Sequence, residues 1–203
     1  MVKQANSNDA VKKEPLGDDK NLLDIAQYIK NVQQSHKHTI PPLDQWHPAH
    51  CGKMNLHIKA NGEWWHEGQC IQRQAMVELF SSVLWKEEDK FYLKTPVEQI
   101  EIEVEDEPFL VNQIDQVEIE GKTYLQCRTA QQDVVIVDVE HPIFMRDYQG
   151  ERRPYIHVRF GMNALIQRQA FYHLVSYGEL IEDADGQTIL QLQSGDLHLQ
   201  LGT

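Results

Sequence analysis

The chain has 203 residues, of which 41% are hydrophobic and 25% charged, and its net charge is −12. This length allows one large domain or two small ones, with roughly 70% of the unfolded surface buried on folding. The acidic balance argues against a nucleic-acid polymer as partner, because phosphate-backbone binding draws on a basic surface; a few local cations still suffice for one small phosphate-bearing ligand.

Residues 1–18 are polar and lysine-rich, with Pro15 and Gly17, and predict a disordered tail. Leu22, Ile25, Ala26, Ile29 and Val32 follow helical spacing, so residues 20–34 predict an amphipathic helix ending at His36-Lys37-His38. Ile40-Pro41-Pro42-Leu43 reads as extended chain. Met54, Leu56 and Ile58 alternate with Asn55, His57 and Lys59, which predicts a strand with one apolar face; Asn61-Gly62 predicts its hairpin turn. A helix is then expected from Gly68, carrying Ile71, Met76, Leu79, Phe80, Val83 and Leu84. Residues 91–93 and 100–104 predict strands, the second with Glu101, Glu103 and Glu105 on a solvated face. Residues 117–127 read as a hairpin around Glu120-Gly121-Lys122, and residues 133–139 as a β-branched strand ended by His141-Pro142.

Ile71-Gln72-Arg73-Gln74-Ala75 recurs unchanged as Ile166-Gln167-Arg168-Gln169-Ala170, 95 residues on. The flanks follow. Ile156, Val158 and Phe160 alternate as Leu56, Ile58 and Ala60 do, and His157 and Arg159 match His57 and Lys59. A second helix is expected over residues 164–177, N-capped by Asn163 and stopped at Gly178. Leu190 and Leu192, then Leu197, Leu199 and Leu201, predict closing strands. The resulting expectation is an α+β protein of duplicated strand-helix-strand-strand units. It has a tail over 1–18, an N-terminal domain with its leading helix over 19–105 and a C-terminal domain over 106–203, with a crevice between the halves.

Three cysteines, Cys51, Cys70 and Cys127, lack paired spacing and fit reduced thiols. Residues 1–16 hold no apolar run of signal length, and no stretch approaches the ~20 apolar residues of a membrane span. A cytoplasmic protein without a membrane span is expected.

Arg73, Val77, Phe80 and Leu84 share one helical stripe, as do Arg168, Tyr172 and Val175. Each arginine therefore borders a packed face and needs a partner. A protein carboxylate such as Glu98 or Asp106 is one choice; an anionic ligand gripped by the planar guanidinium is the other. Tyr155, His157 and Arg159 form one row of a strand, able to stack a ring and hold a charge, or else simply a solvated sheet face. Residues 146–168 hold five arginines against Asp147 and Glu151, a local +3 that would focus an anion. His47, His50, Cys51 and His66 match no standard zinc spacing, so no metal site is assigned. No phosphate-binding glycine loop, nucleophile elbow or kinase motif occurs, and the reading favours a non-enzyme without cofactor.

Several segments together resemble one family. They are Pro41-Pro42…Trp46…Cys51-Gly52, Trp64…Gly68…Ile71…Arg73, Leu79-Phe80-Ser81…Leu84, Thr95-Pro96-Val97-Glu98 and Val104-Glu105-Asp106…Pro108-Phe109. Arg153-Pro154-Tyr155-Ile156…Val158-Arg159…Gly161 and Ile166…Arg168…Phe171-Tyr172 continue the match. Over about residues 40–203 the chain resembles the family of domain of unknown function 1285, departing from it at Cys70, where that family has a proline. The resemblance implies a bacterial protein with a duplicated core and a C-terminal half like a small pleckstrin-homology barrel. It also implies a nucleotide-like ligand at the domain interface and a role in signal transduction. The combined reading is a ligand-binding or sensing protein in which Arg73, Arg168 and Arg159 hold charge and Tyr155 and His157 hold a ring. The alternative is a protein-protein interaction module without a small ligand.

Overall fold

The computed structural model describes residues 40–182 and 186–202. The tail over 1–18, the amphipathic helix over 20–34 and His36-Lys37-His38 lie outside these described residues.

The first half builds one six-stranded sheet. β1 (Ala49–Ile58) buries Met54, Leu56 and Ile58 through its two-residue alternation. It turns through residues 59–63, where Lys59 N–H donates to the Glu63 carbonyl at 2.9 Å, into β2 (Trp64–His66) and the short β3 (Gln69–Cys70). Helix α1 (Gln74–Ser81) follows, then β4 (Leu84–Glu87), β5 (Lys90–Lys94) and β6 (Glu98–Val104). The spatial order is β3-β2-β1-β6-β5-β4, with β1 and β6 parallel at the centre. The expected acidic face of β6 is laced with ion pairs, Lys90 to Glu101 at 2.8 Å and Lys53 to Glu103 at 2.6 Å.

The second half repeats that sheet order. β7 (Phe109–Ile119), β8 (Lys122–Thr129), β9 (Val134–Ile136), β10 (Ile143–Tyr148), β11 (Glu151–Arg159) and β12 (Met162–Ile166) lie in the order β9-β8-β7-β12-β11-β10. Again the first and last strands pair in parallel, with Phe109 beside Ala164. Helix α2 (Arg168–Ser176) follows this sheet. A three-stranded sheet of β13 (Glu179–Glu182), β14 (Thr188–Ser194) and β15 (Leu197–Gly202) ends the fold. It is pinned to β8 by the buried Ser194 hydroxyl, which accepts Leu125 N–H at 2.9 Å and donates to the Val137 carbonyl at 2.6 Å. One hydrophobic cluster runs through both halves, from Leu56 and Phe80 to Phe109, Ile156 and Leu190.

The expected fold class is therefore corrected. The protein is mostly β, with fifteen strands and two α-helices among the described residues. Duplicated strand-helix-strand-strand units are not found, because the identical pentapeptides occupy unlike places. α1 lies between β3 and β4, inside the first sheet's strand order, whereas α2 follows β12, outside the second's. What the five residues share is local: each pentapeptide leads into a helix. The second expected helix is also shorter than its pattern. Phe160 and Gly161 both take positive φ, 50° and 70°, the backbone of a two-residue hairpin turn. The chain therefore returns as β12 where a helix was expected, and α2 starts only at Arg168. Nor does the C-terminal half close into a small pleckstrin-homology-like barrel. Its six-stranded sheet is open, with β9 and β10 as edges, and the last three strands complete a half-barrel against it.

Candidate functional site

Two strand ends, a helix start and a turn from the other sheet surround a cleft of about 900 Å³. β11 and β12 pair with Tyr155 opposite Leu165 and Ile156 opposite Ala164. Arg152 stands at the start of β11, and Arg168 stands where β12 has given way to α2. Both arginines are exposed and both line the cleft. Leu110, Met145, Pro154, Leu165 and Phe171 supply an apolar wall. The opposite rim is the β1–β2 turn, through Ala60 and Asn61. Gly62 sets how closely that turn approaches the second sheet. Its φ is +86°, and a Cβ there would lie 2.1 Å from Leu110 Cδ1.

Neither Arg152 nor Arg168 has a carboxylate within ion-pair distance among the described residues. Asp147 faces Arg152 across β10 and β11 but makes no ion pair with it. Arg168 donates from Nε to the Tyr172 hydroxyl at 2.8 Å, a bond that raises its pKa further. Arg153, the third cation of the cleft, is engaged: Nε and Nη2 both donate to Glu151 Oε2, at 2.8 and 2.5 Å. Like charges in one cleft repel, and a bound anion reduces the repulsion. The unpaired N–H groups of the first turn of α2 add positive potential at the same place.

The other residues singled out from the sequence sit elsewhere. Arg73 is the exposed N-cap residue of α1 and does not line the cleft, so the two equivalent arginines do not converge. Tyr155 is fully buried; its hydroxyl donates to Asp106 Oδ2 at 2.6 Å and its ring lies under the Arg146 guanidinium, 4.1 Å away. Asp106 and Glu107, in the link between the two sheets, are themselves almost completely buried and both pair with Arg146. Burial, and then the bond to Asp106, push the Tyr155 phenol up to about 12. His157 is half-buried and stacks on His141 at 5.5 Å. Burial lowers its pKa, the neighbouring His141 lowers it further, and Glu107 opposes both. Arg159 bridges the halves: Nε donates to Asp133 at 2.9 Å and Nη2 to the Ser81 carbonyl at 2.9 Å. The expected row of Tyr155, His157 and Arg159 is thus not an open face: the register shifts between His157 and Arg159, and link and loop residues cover the three side chains. Of the candidate metal ligands, His50 packs edge-on against Tyr92 at 5.8 Å.

Arg152 escaped the sequence reading as an individual residue. The signal that finds it is the return of the chain as β12 beside β11, which depends on recognising the turn at Phe160-Gly161.

Fold and cleft define a three-sheet β-protein with an arginine-lined cleft where the first sheet's β1–β2 turn meets the second sheet. The chain belongs to the DUF1285 family. Residues 41–107 match "Domain of unknown function (DUF1285), N-terminal domain" and residues 108–201 match "Protein of unknown function (DUF1285), C-terminal domain". It is similar to a crystal structure of a DUF1285 family protein from Silicibacter pomeroyi DSS-3, with 37% identity, 90% of this chain and 95% of that chain covered, and a TM-score of 0.77. It also matches a DUF1285 family protein from Shewanella baltica OS155 at 24% identity, covering 61% of this chain and 91% of that one, with a TM-score of 0.48. No curated protein matches. Among the described residues, no helix is long and apolar enough to cross a membrane.

Proposed function

We propose that this protein is a binding and sensing module for a small anionic ligand seated in the cleft between the two sheets. The observation that carries the reading is the pair Arg152 and Arg168, both exposed, both lining the cleft and without carboxylate partners among the described residues, beside a group of apolar side chains. Guanidiniums lining one cleft can match a phosphate or carboxylate through their planar N–H donors. Concave sites with an apolar lining and a few convergent polar groups are where small ligands usually bind. The sensing role rests on the cleft's walls. One rim comes from the β1–β2 turn and the rest from the second sheet and α2, so an occupant would tie the two together and shift any equilibrium between their arrangements.

A thermal-shift series of the whole protein at low salt, against phosphate, phosphomonoesters and carboxylates, tests the reading. A ligand present at 100 times its dissociation constant stabilises by about 2.7 kcal/mol, a plainly visible shift. The shift should vanish in Arg152→Ala/Arg168→Ala and persist in Arg73→Ala. A panel without any shift, or shifts that survive the double substitution, would remove the proposal.

A further inference from the structure

The charge of the cleft limits how much anion it can accept. Three guanidiniums line it, Arg152, Arg153 and Arg168, with one carboxylate, Glu151, a local net of +2. Glu151 is exposed, lines the cleft and pairs with Arg153; Asp147 lies outside the lining, on the strand beside Arg152. A phosphomonoester carries about −1.5 to −2 at neutral pH, which this set balances. Each additional phosphate brings charge for which no further cation stands in the lining, and brings it towards Glu151 and Asp147. Apart from Asn61, Gln167 and Gln169, the remaining lining is apolar, through Leu110, Met145, Pro154, Leu165 and Phe171 among others. A fully polar ligand would leave that surface facing water-seeking groups without partners; an apolar or aromatic body would bury it.

We infer that the cleft takes a phosphomonoester with an apolar or aromatic alcohol part, and that Glu151 makes it discriminate against di- and triphosphates. This rests on the anion-binding reading above and adds the ligand's class and the residue that sets it. The same chemistry occurs in free aryl and alkyl phosphates and in the phosphatidic acid headgroup. The chain's net charge of −12 is repelled by an anionic lipid surface, which assigns the free compound.

Calorimetric titration of the full chain tests this with two series. Methyl phosphate against phenyl phosphate isolates the apolar part, and adenosine mono-, di- and triphosphate isolate the phosphate count. Phenyl phosphate should bind about tenfold tighter than methyl phosphate. The monophosphate should bind tighter than the triphosphate, and Glu151→Gln should narrow that ratio by about threefold. Equal affinity for phenyl and methyl phosphate, or a triphosphate preference in the wild type, would overturn the inference while leaving anion binding intact. Failure of every phosphate to bind would instead remove the anion-binding reading itself. Sedimentation with phosphatidylcholine vesicles containing phosphatidic acid should leave the protein in solution; co-sedimentation that needs Arg152 and Arg168 would overturn the assignment to a free compound.

Discussion

Replacing Tyr155 by phenylalanine separates a structural role from a ligand role at one of the residues marked out by the sequence. The substitution keeps the buried ring and removes one hydroxyl, whose bond to Asp106 is 2.6 Å long. The Asp106 side chain is 1% exposed, so water cannot replace the lost donor. Hydrogen bonds to charged groups contribute about 1.5–3 kcal/mol. Arg146 still faces Asp106 and limits the loss, so about 2 kcal/mol is expected. In a chain of this size that lowers Tm by roughly 4–8 °C. Urea unfolding followed by circular dichroism measures it, while anion affinity should be unchanged. The alkaline limb adds a second readout. The folded-state pKa of Tyr155, about 12, lies above its ordinary value of 10. Its contribution is therefore complete below pH 10 and is lost as pH rises through 12. Tyr155→Phe should remove that part of the alkaline slope. The part belonging to Cys127, whose thiol burial also pushes up to about 12, remains. A stability change under about 0.5 kcal/mol would refute the account of this network.

Three further outcomes follow from the packing between the halves. Gly62→Ala places a Cβ against Leu110 at a left-handed φ and should cost about 2 kcal/mol in urea unfolding, with part recovered when Leu110→Ala is added. Arg159→Leu leaves Asp133, 10% exposed, without its cation and should destabilise by about 3 kcal/mol; adding Asp133→Asn should recover part of the loss. His157, whose pKa is lowered by burial and by His141, contributes stability that is present above about pH 6.5 and is lost as pH falls. His141, its partner Asp138 and the nearby Glu107 are the charged groups involved, and His157→Gln should unfold with a shallower acid slope between pH 7.5 and 5 than the wild type.

The strands that alternate cleanly were legible in the sequence. Met54, Leu56 and Ile58 in β1, Ile100 and Ile102 in β6 and Leu199 and Leu201 in β15 all bury the faces their spacing implies. The turns were legible only in part. Asn61-Gly62 speaks by composition and Glu120-Gly121 by the strand patterns on both sides of it, but Glu67-Gly68, Gln149-Gly150 and Phe160-Gly161, which take the same positive-φ pair as Glu120-Gly121, were not read as turns. Missing those turns merged β12 into a helix and hid β10, which tilted the expected balance towards helix. The basic patch was visible as composition over residues 146–168. Its assignment to residues depended on where the strands and the helix begin and end, which puts Arg152 and Arg168 in the lining of one cleft and turns Tyr155 and Arg159 towards buried partners. The repeated pentapeptide carried no such information, because the same five residues begin a helix in two unlike settings.

Titration calorimetry with phenyl phosphate at low salt, on the wild type, Arg152→Ala/Arg168→Ala and Arg73→Ala, tests the central claim most directly. The account predicts one site per chain in the wild type, affinity reduced by about tenfold or more in the double variant, and no change in Arg73→Ala. Undiminished affinity in the double variant, with the fold intact by circular dichroism, would contradict it.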